Sequence, residues 1–270
     1  NCAVAKTITK YYSKNPQQYV NKLKSFHLNE KLGISIPGEA NPLIKETKSN
    51  DWSGLTLPQM SYGYESLITP LQTLTLYNTI ANDGKMVRPR FEKAIKRNGI
   101  TIKTFKTEII EEQIVKKSTI KKAKQMLEGV VQNGTGKGLK ITAFNVGGKT
   151  GTAQIAKAGK KGYGEIGNRD YQASFVGYFP ADKPLYTCIV IINSPSNGIY
   201  YGGLVAGPVF KEIAEKVYSS SVDFLEPINN KQNLLTKAPG SIKTQNDEMV
   251  IASKALKLPT TSNATENSYV

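Results

Sequence analysis

Histidine and cysteine are almost missing from this chain: His27 stands alone, and Cys2 and Cys188 are the two cysteines. So small a supply of soft ligands excludes a Cys/His zinc site of ordinary spacing, and neither a metal nor a cofactor is expected. A Ser-His-Asp triad would have to use His27, which sits beside Phe26 and Leu28 in an amphipathic run and reads as a packing residue. Cys188 falls inside an apolar strand pattern, as core rather than as a reactive thiol. Long apolar runs are missing too. No stretch approaches the roughly 20 residues of a membrane span, and no secretory leader opens the chain. Acidic residues are the third scarcity, 21 against 36 basic ones, which leaves a net charge of +15. Nucleic acid, anionic lipid and an anionic cell-wall polymer are the partner classes such a charge attracts. The lysines carry little aromatic interleaving, which argues against a single-stranded nucleic-acid platform. We read the surplus as lysine-rich solvated surface and expect no nucleic-acid partner.

What is present suits a packed protein. The 270 residues are enough for one large domain, and 39% apolar content supplies a core for it. The expected division is a folded part over 1–222 and a mostly irregular tail over 223–270, where Thr, Ser, Asn and Lys accumulate. Short apolar stretches at 249–252 and 255–258 form at most a weak element. Because the chain opens on Asn1 rather than Met, it is expected to be a piece of a longer protein.

Apolar spacing outlines the elements. Val4, Ile8, Tyr11 and Tyr12 give a helix over 2–13 with Asn1 as its cap. A second starts at Asn15-Pro16 and carries Tyr19, Val20, Leu23 and Phe26 on one face. Thr69-Pro-Leu-Gln72 has the form of a capping box, followed by a stripe of Leu71, Leu74, Tyr77, Ile80 and Ala81 that stops at Asn82-Asp-Gly84. Ser118 caps a helix to Val131, closed by Asn133-Gly134, and a last helix follows Pro208. Strands are expected over 144–155, 171–179 and 185–193, the last two joined as an antiparallel hairpin. A glycine- and lysine-rich mobile loop over 157–169 separates the first two. Grouped antiparallel strands with helices before and after make an α+β layer structure.

The chemistry concentrates in Val146-Gly-Gly-Lys-Thr-Gly-Thr-Ala-Gln154. In a strand, Lys149 and Gly151 share one face while Thr150 and Thr152 share the other. Glycines on both sides of Lys149 allow close approach to the backbone. Such an edge offers N–H groups to a developing oxyanion, and a cation and hydroxyls to a carboxylate. A phosphate-binding loop would also end in Gly-Lys-Thr, but its first glycine falls on Ala143, so that pattern fails.

Lys149-Thr-Gly-Thr-Ala-Gln154 resembles the third signature of penicillin-binding transpeptidases. Asn50-Asp-Trp-Ser-Gly, Tyr62-Gly-Tyr-Glu65, Thr69-Pro-Leu-Gln72, Ala81-Asn-Asp-Gly-Lys-Met-Val-Arg-Pro89, Asn133-Gly-Thr-Gly136 and Ala173-Ser-Phe-Val-Gly-Tyr-Phe-Pro-Ala-Asp182 resemble the division-type class B members in order and spacing. The likeness covers about residues 1–220, and the Tyr62–Glu65 wording leans towards Bacteroidetes-type members.

The resemblance implies a five-stranded antiparallel sheet sandwiched by helices, N-terminally truncated here. It implies a D,D-transpeptidase using Ser-x-x-Lys, Ser-x-Asn and Lys-(Thr/Ser)-Gly. Lys149, Thr150, Gly151 and Thr152 would be the third signature and Asn1 the asparagine of the second. Thr150, Thr152 and Gln154 would bind substrate. The nucleophilic serine would lie outside the chain; Ser118-Thr-Ile-Lys121 fits its motif literally but follows the second signature instead of preceding it. Implied partners are peptidoglycan stem peptides ending in D-Ala-D-Ala, β-lactams, a membrane glycosyltransferase and division proteins. The implied location is the periplasmic side of a bacterial inner membrane, held by an upstream helix. This chain alone is expected to be inactive and poorly soluble. A β-lactam sensor or β-lactamase of the same fold, and a non-catalytic division scaffold, are the alternatives.

Overall fold

The structure, a computed structural model, describes residues 1–156, 163, 169–196, 198–221, 251 and 254–256. The chain divides into two compact units, Asn1–Ser219 and Ser220–Val270. In the second, the described residues 251 and 254–256 are helical. The remainder of the expected tail elements, and nearly all of the expected loop 157–169, lie outside the described residues.

The first unit begins with helices α1 (Cys2–Tyr12) and α2 (Pro16–Lys24), then β1 (Leu43–Ile44), α3 (Thr56–Met60) and β2 (Ser66–Leu67), with β1 and β2 paired. Pro16 opens α2 as the sequence indicates, and Tyr19, Val20, Leu23 and Phe26 all join a core cluster with Leu28, Ile44, Trp52 and Met60. Helix α1 forms as expected but buries no residue fully; Val4 is 49% and Tyr11 71% exposed.

Helix α4 (Pro70–Ala81) carries the predicted capping box: the Gln72 N–H donates to the Thr69 hydroxyl at 3.1 Å and the Thr69 N–H to Gln72 Oε1 at 2.8 Å. Its burial differs from the expected stripe. Gln72, Thr75 and Thr79 are the fully buried residues beside Ala81, while Leu71, Leu74, Tyr77 and Ile80 are half-buried. Polar side chains tolerate that position because each is satisfied locally. The Thr75 hydroxyl donates to the Leu71 carbonyl and that of Thr79 to the Thr75 carbonyl, both at 2.8 Å, and Gln72 Nε2 donates to the Glu30 carbonyl.

Four short strands follow, β3 (Met86–Val87), β4 (Ala94–Arg97), β5 (Ile100–Thr104) and β6 (Ile109–Glu111), paired as β3–β6 and β4–β5. Helix α5 (Lys117–Asn133) starts one residue before Ser118, and Lys116 takes the cap position. Ser118 is therefore not the cap, and it stands exposed in the first turn.

The site rests on a three-stranded antiparallel sheet in the order β7 (Gly147–Ile155), β8 (Asp170–Phe179), β9 (Tyr186–Asn193). The resemblance implies five strands; the described sheet has three. Strand β7 begins at Gly147 rather than 144, because Phe144 packs against Phe179 and stacks on Tyr218, centroids 5.7 and 4.4 Å apart. The side chains of β8 alternate between two helical layers. Phe175 and Phe179 meet Phe210 of α6 (Gly202–Ser220) at 4.6 and 5.9 Å. Tyr178, on the opposite face, clusters with Ala81 of α4 and Leu127 of α5. Helices thus cover both faces of the sheet, the α+β sandwich expected. Cys188 pairs with Gly177 in this sheet, half-buried, and burial pushes its thiol pKa up.

Helix α6 opens at Gly202, six residues ahead of Pro208, which lies inside it. The reason is steric. A Cβ on Gly202 would lie 2.2 Å from the Gly151 carbonyl oxygen and 2.3 Å from that of Ser174, and one on Gly203 would lie 2.6 Å from the Thr135 carbonyl. Only a helix end without side chains seats this closely on the strand.

Candidate active site

Nine consecutive residues of β7 pair with β8 in unbroken register, from Gly147 opposite Tyr178 to Ile155 opposite Asp170. With no bulge, the alternation expected from the sequence holds: Lys149 and Gly151 share a face, and Thr150 and Thr152 share the other. The lysine face is cleared by glycine. A Cβ on Gly147 would strike the Tyr178 ring at 2.4 Å, and one on Gly151 would strike Ser174 Oγ at 2.4 Å.

Strand β7 is an edge, so alternate N–H and C=O groups point away from β8. The Gln154 N–H identifies them, since it leaves the sheet and donates to the Tyr64 hydroxyl at 3.1 Å. By the two-residue period, the Thr152 and Thr150 backbone groups face the same open edge. Tyr64 is held by edge-to-face contacts with Tyr62 and Tyr163, centroids 5.6 and 5.5 Å away.

The Lys149 ammonium folds onto this edge. It donates to the Thr150 carbonyl at 2.8 Å and approaches Thr150 Oγ1 at 3.4 Å. The side chain as a whole is exposed, yet burial of its charged end pushes the lysine pKa below the ordinary value. Desolvation of a cation has that sign, and among the described residues no carboxylate pairs with it. The Thr150 hydroxyl lies 2.7 Å from that of Thr135, and the Thr152 hydroxyl accepts the Gly202 N–H at 3.0 Å. The cation, the two threonine hydroxyls and the outward-facing backbone N–H of Thr152 therefore gather along one strand edge. Such a constellation holds a carboxylate and leaves an N–H for a negatively charged oxygen.

The other sequence candidates make contacts of a different kind. Asn1 takes the cap position of α1, exposed and without a side-chain cap bond, its carbonyl accepting the Ala5 N–H. His27 faces Glu30 at 3.6 Å and Glu111 at 4.0 Å, a surface cluster. Gln154 enters the site through its backbone.

Three contributors were not read as site residues from the sequence: Thr135, Tyr64 and the Gly202-Gly203 pair. Two lie in segments that carried the resemblance, Asn133–Gly136 and Tyr62–Glu65, where a hydroxyl flanked by glycine was the available signal. The glycine pair had a signal of its own, two adjacent residues without side chains before an apolar helical stripe.

Comparison with known proteins gives the family of the chain. The family model of the penicillin-binding protein transpeptidase domain matches residues 7–215. Peptidoglycan D,D-transpeptidase FtsI of Buchnera aphidicola is 32% identical over 202 residues, 74% of this chain and 33% of that protein. Penicillin-binding protein PbpB of Mycobacterium tuberculosis is 32% identical over 208 residues, 74% of this chain and 30% of that protein. The crystal structure of penicillin-binding protein 3 from Mycobacterium tuberculosis, complexed with aztreonam, superposes with a TM-score of 0.66 at 31% identity, covering 79% of this chain and 48% of that one. This chain spans about a third of the length of those two curated relatives. A match that contains the whole of β7 and α5 and most of α6 leaves one conclusion: the chain belongs to the penicillin-binding protein transpeptidase family, with class B members as its relatives.

Proposed function

We propose that this chain is the C-terminal part of a serine-type D,D-transpeptidase domain that cross-links peptidoglycan stem peptides during division. The observation that supports it best is the edge of β7, where the Thr152 backbone faces outward beside the Lys149 ammonium and the Thr150 hydroxyl. A stem peptide in extended form would add to β7 as a further strand, pairing with main-chain groups at Thr152. Its terminal carboxylate would be held by Thr150 and Thr152. Each hydroxyl has one proton to give; because Thr152 already accepts from Gly202, its own proton is free for the anion.

A serine outside this chain would attack the carbonyl of the penultimate D-Ala. The Thr152 N–H would stabilise the resulting oxyanion, a donor whose loss costs about 10²–10³ in rate. The bond to the terminal D-Ala breaks and the serine proton, passed through the lysine network, ends on the leaving amine. An amine from a neighbouring stem then attacks the ester, a new amide forms, and the serine oxygen recovers a proton. Lys149 maintains the positive potential in which both tetrahedral states form. In this reading Asn1 belongs to Ser-x-Asn, and Gln154 lines the donor site.

β-Lactams would acylate the same serine; penicillin-binding protein 3 of Mycobacterium tuberculosis has been solved with ampicillin and with aztreonam. A membrane glycosyltransferase and division proteins would be partners of the full-length protein on the periplasmic side of the inner membrane. The anchor would be an upstream helix of that protein; among the described residues no helix is long and apolar enough to cross a membrane. The test is labelling with a fluorescent penicillin. Full-length protein should take up one covalent label, and this chain alone none. A labelled isolated chain, or an unlabelled full-length protein, overturns the reading.

A further inference from the structure

Thr135 lies outside the three signatures, yet its hydroxyl is 2.7 Å from that of Thr150. The approach is built from the backbone. The N–H groups of Gly134 and Gly136 both donate to the Val130 carbonyl at 3.0 Å, so the loop folds back across the end of α5. Gly203 then fits where a Cβ would come within 2.6 Å of the Thr135 carbonyl and 3.3 Å of Thr150 Cγ2. Thr135 is thus clamped between the end of α5 and the start of α6, with its side chain turned to the open edge of β7.

Counting protons gives the hydroxyl contact a direction. Lys149 has only N–H donors, so its approach to Thr150 Oγ1 occupies a lone pair of that oxygen. Thr150 has a single proton. When a carboxylate is bound, that proton goes to the anion, because a hydrogen bond to a charged acceptor is about twice as strong as one to a neutral hydroxyl. Thr135 is then left to donate to Thr150. Thr152 is arranged in the same way, with the Gly202 N–H as its donor. Each of the two hydroxyls that meet the anion is turned outward by a donor behind it.

We propose that Thr135 is a positioning residue for carboxylate recognition. It donates to Thr150 Oγ1 and so aims the Thr150 proton at the terminal carboxylate of the donor peptide or of a β-lactam. The proposal rests on the transpeptidase reading above.

The test uses full-length protein and separates the dissociation constant of the pre-acylation complex from the acylation rate. The ligands are benzylpenicillin, which carries the carboxylate, and its methyl ester, which does not. Thr135→Val, the same shape without the hydroxyl, should weaken binding of the acid by roughly 3- to 10-fold, the worth of one hydrogen bond. Its acylation rate constant and melting temperature should stay close to wild type, and the ester should be unaffected. Thr135→Ser should restore binding of the acid, and Thr135→Val should add nothing in a Thr150→Val background. Equal losses for acid and ester, or a joint fall in rate and melting temperature, would show a structural role and overturn the proposal. So would Thr135→Val binding the acid as wild type does. A wild-type protein that is not acylated at all overturns the transpeptidase reading instead, and the positioning role with it.

Discussion

At the scale of single residues, the site depends on a cation that no carboxylate among the described residues neutralises. The Lys149 ammonium bonds a carbonyl and a hydroxyl, and neither offsets its lost hydration, so its pKa falls from the ordinary value. A lysine with a lowered pKa loses its proton at lower pH than an ordinary one, whose value is about 10.4. If the cation supports acylation, the rate must decline on the alkaline side before that point. Penicillin acylation of the full-length protein, measured from neutral to alkaline pH, should show this limb. In Lys149→Arg the guanidinium keeps its charge throughout, so the limb should move upward even where the rate is reduced. A limb unchanged by the substitution would assign it to another group.

At the scale of elements, helix α4 is secured at its start by one residue with three bonds, two from its side chain and one from its backbone N–H. Gln72 exchanges two with Thr69 and gives a third to the Glu30 carbonyl, all while buried. Thr69→Ala removes only the cap acceptor and should cost about 0.5–2 kcal/mol. Gln72→Ala keeps that cap bond, which its backbone N–H makes, but strands the Thr69 N–H and the Glu30 carbonyl. Each buried group left unpaired costs about 1–3 kcal/mol, so this variant should be the less stable of the two. Urea denaturation of the full-length protein ranks them, and the opposite order would mean that water replaces the lost amide.

At the scale of the whole molecule, helix α1 is the helix of the first unit, among the described residues, that buries no residue fully. Its stripe of Val4, Ile8, Tyr11 and Tyr12 has helical spacing, but Val4 and Tyr11 remain largely exposed. The curated relatives are about three times as long as the matched region, so a further part of such a protein is available to cover it. Expressed alone, this chain should bind a hydrophobic dye and unfold without a cooperative transition, and covalent extension with the upstream segment should suppress the dye signal. A sharp urea transition and no dye binding in the isolated chain would count against that.

The local rules written in the sequence determined a good deal of this protein. Pro16 and the Thr69–Gln72 box set where two helices begin, the alternation through residues 147–155 set which side chains of β7 share a face, and the order of the motifs revealed the family. These features depend on near neighbours along the chain, so spacing alone carries them. Tertiary structure decided the rest. It placed Thr135 and Tyr64 against β7, 15 and 90 residues away along the chain. It started α6 at Gly202 because the strand backbone left room for nothing larger. It put Gln72, Thr75 and Thr79 in the interior where the pattern pointed to leucine. It also made β7 an edge of the described sheet, and so turned the Thr152 N–H outward. Each of these was set by what packs across the gap, which no local pattern records.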